Sequence, residues 1–416
     1  SWENPAATVD QFVTAVLTLS HVFLDLGSAP PSNAFLSAQD LQARESYFPL
    51  KIYVCDNCWL VQTEDHAAAE QLFEADYAYY SSISTSWLDH ARRYAEMIIP
   101  RLGLGPDSLV MEIAANDGYL LRNFVAAKIP CLGIEPTSGT AAAARELGIS
   151  IREEFFGSEL ATQLVGEGMQ ADLIIGNNVF AHVPDINDFT AGMKEVLKPG
   201  GTVTLEFPHL MRLIAECQFD TIYHEHFSYL SLYTVQRIFA AQGLRVFDVE
   251  ELDTHGGSLR LMGCHDDDAR VSSHKIEQLL SREEQSGLRG LQIYRGFQAV
   301  TDRVRNDVLA FLTEQQAAGR AVAGYGAAAK GNTLLNYAGV KADLLPYIVD
   351  AAPSKQGKFT PGGHIPVLDP EVLRQRRPDY VLILPWNIAA EVTSQHGYIA
   401  EWGGKFVVAV PALKVL

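Results

Sequence analysis

Between Val110 and Glu135 the chain reads as strand, tight turn, helix and strand, with acidic residues at the strand ends. No other segment restricts the fold as much. The first strand, Val110-Met-Glu-Ile, carries Glu112 and breaks into Ala114-Ala-Asn-Asp-Gly118. A helical segment from Tyr119 to Lys128 follows, then Cys131-Leu-Gly-Ile, ending in Glu135 and Pro136. In a doubly wound sheet a ligand lies over the carboxyl end of the first strand. A carboxylate closing the second strand can then accept hydrogen bonds from a ribose diol. Dinucleotide sites want G-x-G-x-x-G in the turn, so that a pyrophosphate reaches the helix N-terminus. Here the turn is A-A-N-D-G, and Asp117 stands where a pyrophosphate would sit. An acidic turn suits a cationic ligand without phosphates.

S-adenosylmethionine is such a ligand, and the following strands extend the pattern. Glu153-Glu-Phe-Phe156 closes the third strand, offering an acceptor in Glu154 and, in Phe155, flat apolar surface of the kind adenine requires. The run from Asp172 to Pro184 reads as the fourth strand and its loop, with Asn178 and His182 projecting over the crevice. The expected cofactor residues are Glu112, Asn116, Asp117, Gly118, Glu135, Pro136, Glu154, Phe155 and Asn178. Taken singly, Glu112, Glu135 and Glu154 would equally suit solvated strand ends. Their occurrence in the order the fold requires favours a site.

At 416 residues the chain is long for one domain. A net charge of −18 argues against nucleic acid and anionic membrane as partners. No apolar run reaches the roughly 18 residues that span a bilayer. Residues 11–24 are apolar but lack a preceding basic residue, which argues against a signal peptide. Five cysteines with one close pair fit a reducing cytoplasm. We expect an N-terminal lobe over 1–66, alternating strands and helices over 67–271, a charged helical bridge over 272–317, and a second βαβ series over 318–416. The expected fold class is α/β, with parallel sheets in the last two bodies.

The sequence resembles S-adenosylmethionine-dependent C-methyltransferases acting on nucleotide-linked deoxysugars, such as the C-3′-methyltransferases of tetronitrose-type sugars. The strings that carry the resemblance are F-L-D-L-G at 23–27, C-D-N-C at 55–58, Y-A-Y-Y-S-S at 77–82 and E-I-A-A-N-D-G at 112–118. They continue with N-N-V-F-A-H-V at 177–183, Y-H-E-H-F at 223–227, H-G-G-S-L-R at 255–260 and G-Y-G-A-A-A-K-G at 324–331. The resemblance implies a zinc-bearing N-terminal lobe, a central Rossmann-like cofactor domain and a C-terminal Rossmann-like domain, with the sugar nucleotide held between lobes. Two departures stand out. The family carries an earlier C-x-x-C just before F-L-D-L-G, whereas residues 1–22 contain no cysteine. Cys55 and Cys58 are half of a tetrahedral zinc set, leaving either no metal or a site completed by His21 or a water. The second departure is Ala114, where a glycine is usual; a positive φ there would cost about 1 kcal/mol.

Methylating a sugar carbon needs a carbanion equivalent, which a 4-keto group makes accessible by acidifying the neighbouring C3–H. A base must take that proton and a donor must stabilise the enolate. The resemblance points to His226 as the base, with Glu225 fixing its tautomer and Tyr223 in support. Tyr79 is a candidate donor to the enolate oxygen, and His182 a second contact for the ketone. Tyr80 and Ser81 are expected on the substrate. Between Arg320 and His364 five Lys or Arg face two Asp, so Lys330 and Lys355 read as a diphosphate site. The 324–331 turn also suits a structural Rossmann relic, or NAD with Asp350 on a ribose. His255-Gly-Gly reads as a strand bend, and the His-x-His of 224–226 lacks the spacing of a metal site. Alternative functions are an O- or N-methyltransferase and a non-catalytic or NAD-dependent sugar-nucleotide protein.

Overall fold

The computed structural model describes residues 21–64 and 80–416, so Tyr79 lies outside the described residues. At the N-terminus β1 (His21–Ala29), β2 (Phe48–Val54) and β3 (Val61–Thr63) pair antiparallel. Leu50, Ile52 and Val54 are buried in β2 while the residues between them are not, the alternation of a sheet covered on one face.

A parallel series follows: β4 (Val110–Ile113), β5 (Cys131–Ile134), β6 (Ser150–Arg152), β7 (Ala171–Asn177) and β8 (Leu197–Pro208). Helices cover both faces, so these strands read as continuous apolar runs rather than alternations. Met111, Ile113 and Ile174 pack into the core on one face. Val110, Leu173 and Ile175 pack on the other. The two-residue β9 (Ser228–Tyr229) leaves this series and pairs with β3, stitching the first sheet to the second body. Finally β10 (Leu244–Leu252) and β11 (Ser258–His265) form a hairpin that inserts β11 beside β8. The order is β10-β11-β8-β7-β4-β5-β6, with β11 antiparallel to both neighbours. Since β5 and β6 lie on one side of β4 and β7 on the other, a crevice opens above the ends of β4 and β7.

The third sheet repeats the logic. β12 (Val322–Tyr325), β13 (Ile348–Val349), β14 (Val367–Leu368), β15 (Tyr380–Ile383) and β16 (Lys405–Val408) are parallel, and β17 (Lys414–Val415) closes the edge antiparallel. Its reversal point lies between β12 and β15. The stretch before it forms two helices, His274–Gln285 and Leu291–Ala317, separated at Gly287 with φ 88°. The second helix is a core wall: Tyr294 and Phe297 meet Phe23 of β1 at 5.2 and 5.0 Å, and Val304, Val308 and Leu312 share a cluster with Val322 and Leu334. All three bodies converge on the segment 219–227. Thr333 donates to the Ile222 carbonyl at 2.9 Å, the Trp386 indole to Asp220 at 2.8 Å, and Asn33 to Glu225 at 2.8 Å. Among the described residues no helix is long and apolar enough to cross a membrane.

Candidate active site

The turn after β4 is wound by three left-handed residues in five: Ala114 at φ 59°, Asn116 at 50° and Gly118 at 77°. A Cβ on Gly118 would also fall 2.4 Å from Ile149 Cδ1, so position 118 admits only glycine. Ala114 is therefore the strained residue anticipated in the sequence. Ala114→Gly should raise stability by about 0.5–1 kcal/mol, less the entropy that glycine adds to the unfolded chain, which a denaturant titration would register. The winding turns Glu112 and Asp117 inward, where both are buried. Glu135, also buried, ties the two strand ends together: Oε2 accepts from Asn116 N at 2.8 Å and Oε1 from Thr137 N at 2.9 Å.

Two carboxylate oxygens in this nest, Glu112 Oε2 and Asp117 Oδ1, are buried without a hydrogen-bond partner. Burial pushes the Glu112 carboxyl well above its usual range, and the neighbouring charges of Glu135 and Asp117 push it further. Such a cluster is costly unless a cation joins it. S-adenosylmethionine carries a sulfonium and an ammonium and no phosphate, so the donor set fits it and does not fit a pyrophosphate. Ser81 N donates to Asn116 Oδ1 at 2.9 Å and Ser82 N to Asp117 Oδ2 at 3.0 Å, so the 81–83 turn lies against the nest. Tyr80 lies beside it, its hydroxyl 3.2 Å from where a Cβ on Gly139 would sit. At the end of β6, Glu154 and Phe155 are exposed, while Phe156 packs edge-on to Phe189 at 5.3 Å. Phe155 thus leaves a ring face open, and Pro136, half-buried, follows Glu135 beside it in the neighbouring strand's loop.

Beyond the nest lies a group of imidazoles. His226 stacks beside Tyr223 at 4.1 Å and meets His182 edge-on at 4.5 Å. His226 Nδ1 lies 2.8 Å from the Thr221 carbonyl oxygen. A carbonyl only accepts, so Nδ1 carries the proton and Nε2 of the neutral ring holds the lone pair. Burial lowers the His226 pKa well below 6.5, with the charges of His182, His255 and Lys330 acting in the same direction. His182 is lowered to about 4 by burial, against a hydrogen bond to the Glu225 main chain. The expected tautomer-fixing role of Glu225 is corrected here. Its carboxylate takes both oxygens to Asn33 Nδ2, and the Thr221 carbonyl orients His226 instead. The reason is that residue 225 faces the N-terminal lobe while its neighbour faces the crevice.

Sequence reasoning undervalued His255. It sits at φ 53°, as does Asn178, and the two side chains meet at 3.2 Å. Two non-glycine residues held left-handed and bonded to each other mark a strained site. Trp87 stacks on His90 at 4.7 Å and lies 5.0 Å from His255, forming an aromatic wall. Glu206 anchors that wall, bonding His90 and Arg260 at 3.0 Å, while its main chain accepts from Asn178 N at 2.7 Å. Within the H-G-G-S-L-R string the clue was the pair of glycines, both at positive φ and both pressed against side chains.

The side chains of the basic island have partners within the C-terminal body. Asp350 Oδ2 accepts from Ala327 N at 2.7 Å, occupying a turn amide that a diphosphate would use. Lys355 donates to the Ala327 carbonyl at 2.8 Å and stays in that loop. Lys330 points away from it, donating to Asn387 Oδ1 at 2.7 Å with its Nζ 4.6 Å from the Trp386 ring centre. In the N-terminal lobe Cys55 and Cys58 form a knuckle, with Trp59 N donating to the Cys55 carbonyl at 2.9 Å. Burial pushes the Cys58 thiol up to about 11. His21 pairs with Asp56 at 2.9 Å, and no group of three metal-ligating side chains occurs among the described residues. Two thiols do not make a structural zinc set.

Comparison with known proteins gives three family models in register with this architecture. "Putative zinc binding domain" matches residues 17–73, "Methyltransferase domain" residues 87–249 and "C-methyltransferase C-terminal domain" residues 253–411. A curated protein called C-methyltransferase NovU, from Streptomyces niveus, is 34% identical over 397 residues, covering 94% of this chain and 93% of its own length. Among solved structures, the complex between the Haloferax volcanii Trm112 methyltransferase activator and its "putative methyltransferase" overlaps 43% of this chain and 92% of that chain, at 15% identity and TM-score 0.36. Magnesium protoporphyrin IX methyltransferase from Synechocystis PCC 6803 overlaps 43% of this chain and 80% of its own, at 13% identity and TM-score 0.33.

Proposed function

The chain belongs to the S-adenosylmethionine-dependent C-methyltransferases, and we propose that it methylates C3 of a nucleotide-linked 4-keto deoxysugar through an enolate. One observation carries this reading. His226 is buried and its Nδ1 proton is committed to the Thr221 carbonyl, which leaves the Nε2 lone pair as the base. An amine acceptor needs no such base, whereas a carbon acid does.

In the proposed reaction Nε2 of His226 takes the C3 proton. The C–H electron pair moves into the C3–C4 bond, and the negative charge settles on the C4 oxygen. Tyr223 and His182, packed on the ring, hold its plane. Glu112, Asp117 and Glu135 hold the cofactor's cationic and ribose groups, and Phe155 offers its adenine a ring face. S-adenosylmethionine, when bound, supplies the electrophilic methyl group. The chain ends the cycle by releasing the proton from His226 to solvent. The C-terminal body is hydrogen-bonded to segment 219–227 through Thr333 and Trp386. That same junction is where we place the nucleotide, the sugar reaching in toward His226.

The test is product analysis. With thymidine- or uridine-diphosphate-linked 4-keto-6-deoxyhexoses as probes and S-adenosylmethionine, the expected product carries a new methyl on a ring carbon, seen by carbon–proton correlation in NMR. A methyl on oxygen or nitrogen would replace this reading with the heteroatom class.

A further inference from the structure

Lys330 and Asp220 come from different bodies of the protein and approach the same Trp386 indole. Lys330 opens the helix Ala329–Ala338 of the C-terminal body, and Asp220 lies in the short turn Phe219–Thr221 of the central one. Asp220 is fully buried; its Oδ2 accepts from the Trp386 indole at 2.8 Å, and its Oδ1 has no hydrogen-bond partner. Lys330 Nζ stands over that same indole at 4.6 Å. The lysine charge acts on Asp220, on His226 and on His255, so the ammonium lies within electrostatic reach of all three. Around these groups the other titratable residues include His182, Tyr223, Tyr229, Glu206 and His90. Arg260, the nearby guanidinium, is committed to Glu206.

The proposed reaction has an electrostatic requirement that neutral imidazoles do not meet. As the C3 proton moves to His226, a full negative charge appears on the C4 oxygen. In a poorly polar interior a preplaced cation stabilises that charge far more than it would in water. Burial alone would favour neutral Lys330; the Asp220 carboxylate opposes this and favours the ammonium. In the 326–328 loop Asp350 already takes Ala327 N, and Lys330 donates to Asn387 Oδ1.

We propose that Lys330 stabilises the enolate oxygen, and that Asp220 is a positioning residue which, with Trp386, keeps the lysine charged and in place. This rests on the enolate reading above. The step adds no redox partner: the C3–H pair becomes the new C3–C4 π bond, the former C=O π pair resides on oxygen, and the proton resides on His226.

The experiment is hydrogen exchange at C3 in deuterated water, using the full chain, the thymidine-diphosphate 4-keto-6-deoxyhexose probe and S-adenosylhomocysteine, with no methyl donor. Lys330→Met should slow exchange about 10²–10³-fold, as for loss of one oxyanion donor, while affinity for thymidine diphosphate stays within about twofold of wild type. Lys330→Gln, which keeps a hydrogen bond to Asn387, should be similarly slow, and it serves if the Met variant does not fold. Asp220→Asn keeps an acceptor for the Trp386 indole but removes the charge, so the alkaline limb of the exchange profile should move to lower pH. A purely structural Asp220 would leave that limb in place and would overturn the positioning role. Wild-type exchange in Lys330→Met, with thymidine diphosphate binding weakened tenfold or more, would make Lys330 the diphosphate ligand and overturn the proposal. A wild-type protein that binds the probe but neither exchanges nor methylates it would instead remove the enolate reading on which the proposal stands.

Discussion

His226→Asn is expected to lower C3 hydrogen exchange and methylation together, by about 10²–10⁴-fold, the range for loss of a general base. Asparagine can keep the hydrogen bond to the Thr221 carbonyl through its amide N–H, so the loop 219–227 should hold its shape. What disappears is the lone pair of Nε2. Affinity for S-adenosylhomocysteine should change little, because the acidic nest lies on the other strand ends and none of its hydrogen bonds involve His226. Exchange at the wild-type rate in the variant would move the base to His182, or to Tyr79. Loss of methylation with exchange intact would make the imidazole an aligning group rather than a base.

The pH profile carries an independent signature. Burial lowers the His226 pKa well below 6.5, so in the free enzyme the basic form is present throughout the neutral range and is lost only as pH falls through that lowered value. The acid limb of kcat/KM should therefore lie well below pH 6.5. A limb at 6.5 would mean that the group titrating is a solvated histidine elsewhere.

Sequence patterns reveal those features that depend on residues close together in the chain. Buried parallel strands such as Val110–Ile113 and Ala171–Asn177 must be mostly apolar, and they appear where the pattern places them. The strain at Ala114 was suggested by the resemblance, in which a glycine is usual at that position, and Ala114 is held at φ 59°. Contacts between bodies were not legible. Glu225 and Asn33 are 192 residues apart, and nothing near 225 in the chain signals that its carboxylate leaves His226 for the N-terminal lobe. Lys330 reads as a phosphate ligand in sequence because it lies in a locally basic stretch that opens a helix after a Rossmann-like turn. In space its neighbours are Asn387, Trp386 and Asp220, supplied by β15's loop and by the central body. His255 was hidden differently. A lone histidine before two glycines describes a bend, and its bond to Asn178 depends on β11 being inserted beside β8.

Glu135→Ala should weaken binding of S-adenosylhomocysteine by about 1.5–3 kcal/mol, the usual range for hydrogen bonds to a charged group. That corresponds to roughly 10–150-fold in Kd. Two effects contribute and can be separated. Each Glu135 oxygen already accepts from a main-chain amide, Asn116 N on one side and Thr137 N on the other, so the carboxylate shapes the nest in addition to the ribose contact expected of it. Removing it leaves two amides without acceptors and loosens a turn that already holds Ala114 and Asn116 at positive φ. A double-mutant cycle isolates the ribose contact. Wild type should lose affinity for a ligand lacking one ribose hydroxyl, whereas Glu135→Ala should lose little more on the same change. Equal losses in both proteins would mean that the diol is held elsewhere and that Glu135 acts only on the turn. Unchanged affinity for the parent ligand would take Glu135 out of the site altogether. Glu135→Gln discriminates further. An amide side chain can accept from one main-chain N–H but presents its own N–H₂ to the other, so one of the two bonds at 2.8 and 2.9 Å must break. Its affinity should fall between those of wild type and the alanine variant, because the geometry is half kept while the charge that favours a cationic ligand is gone.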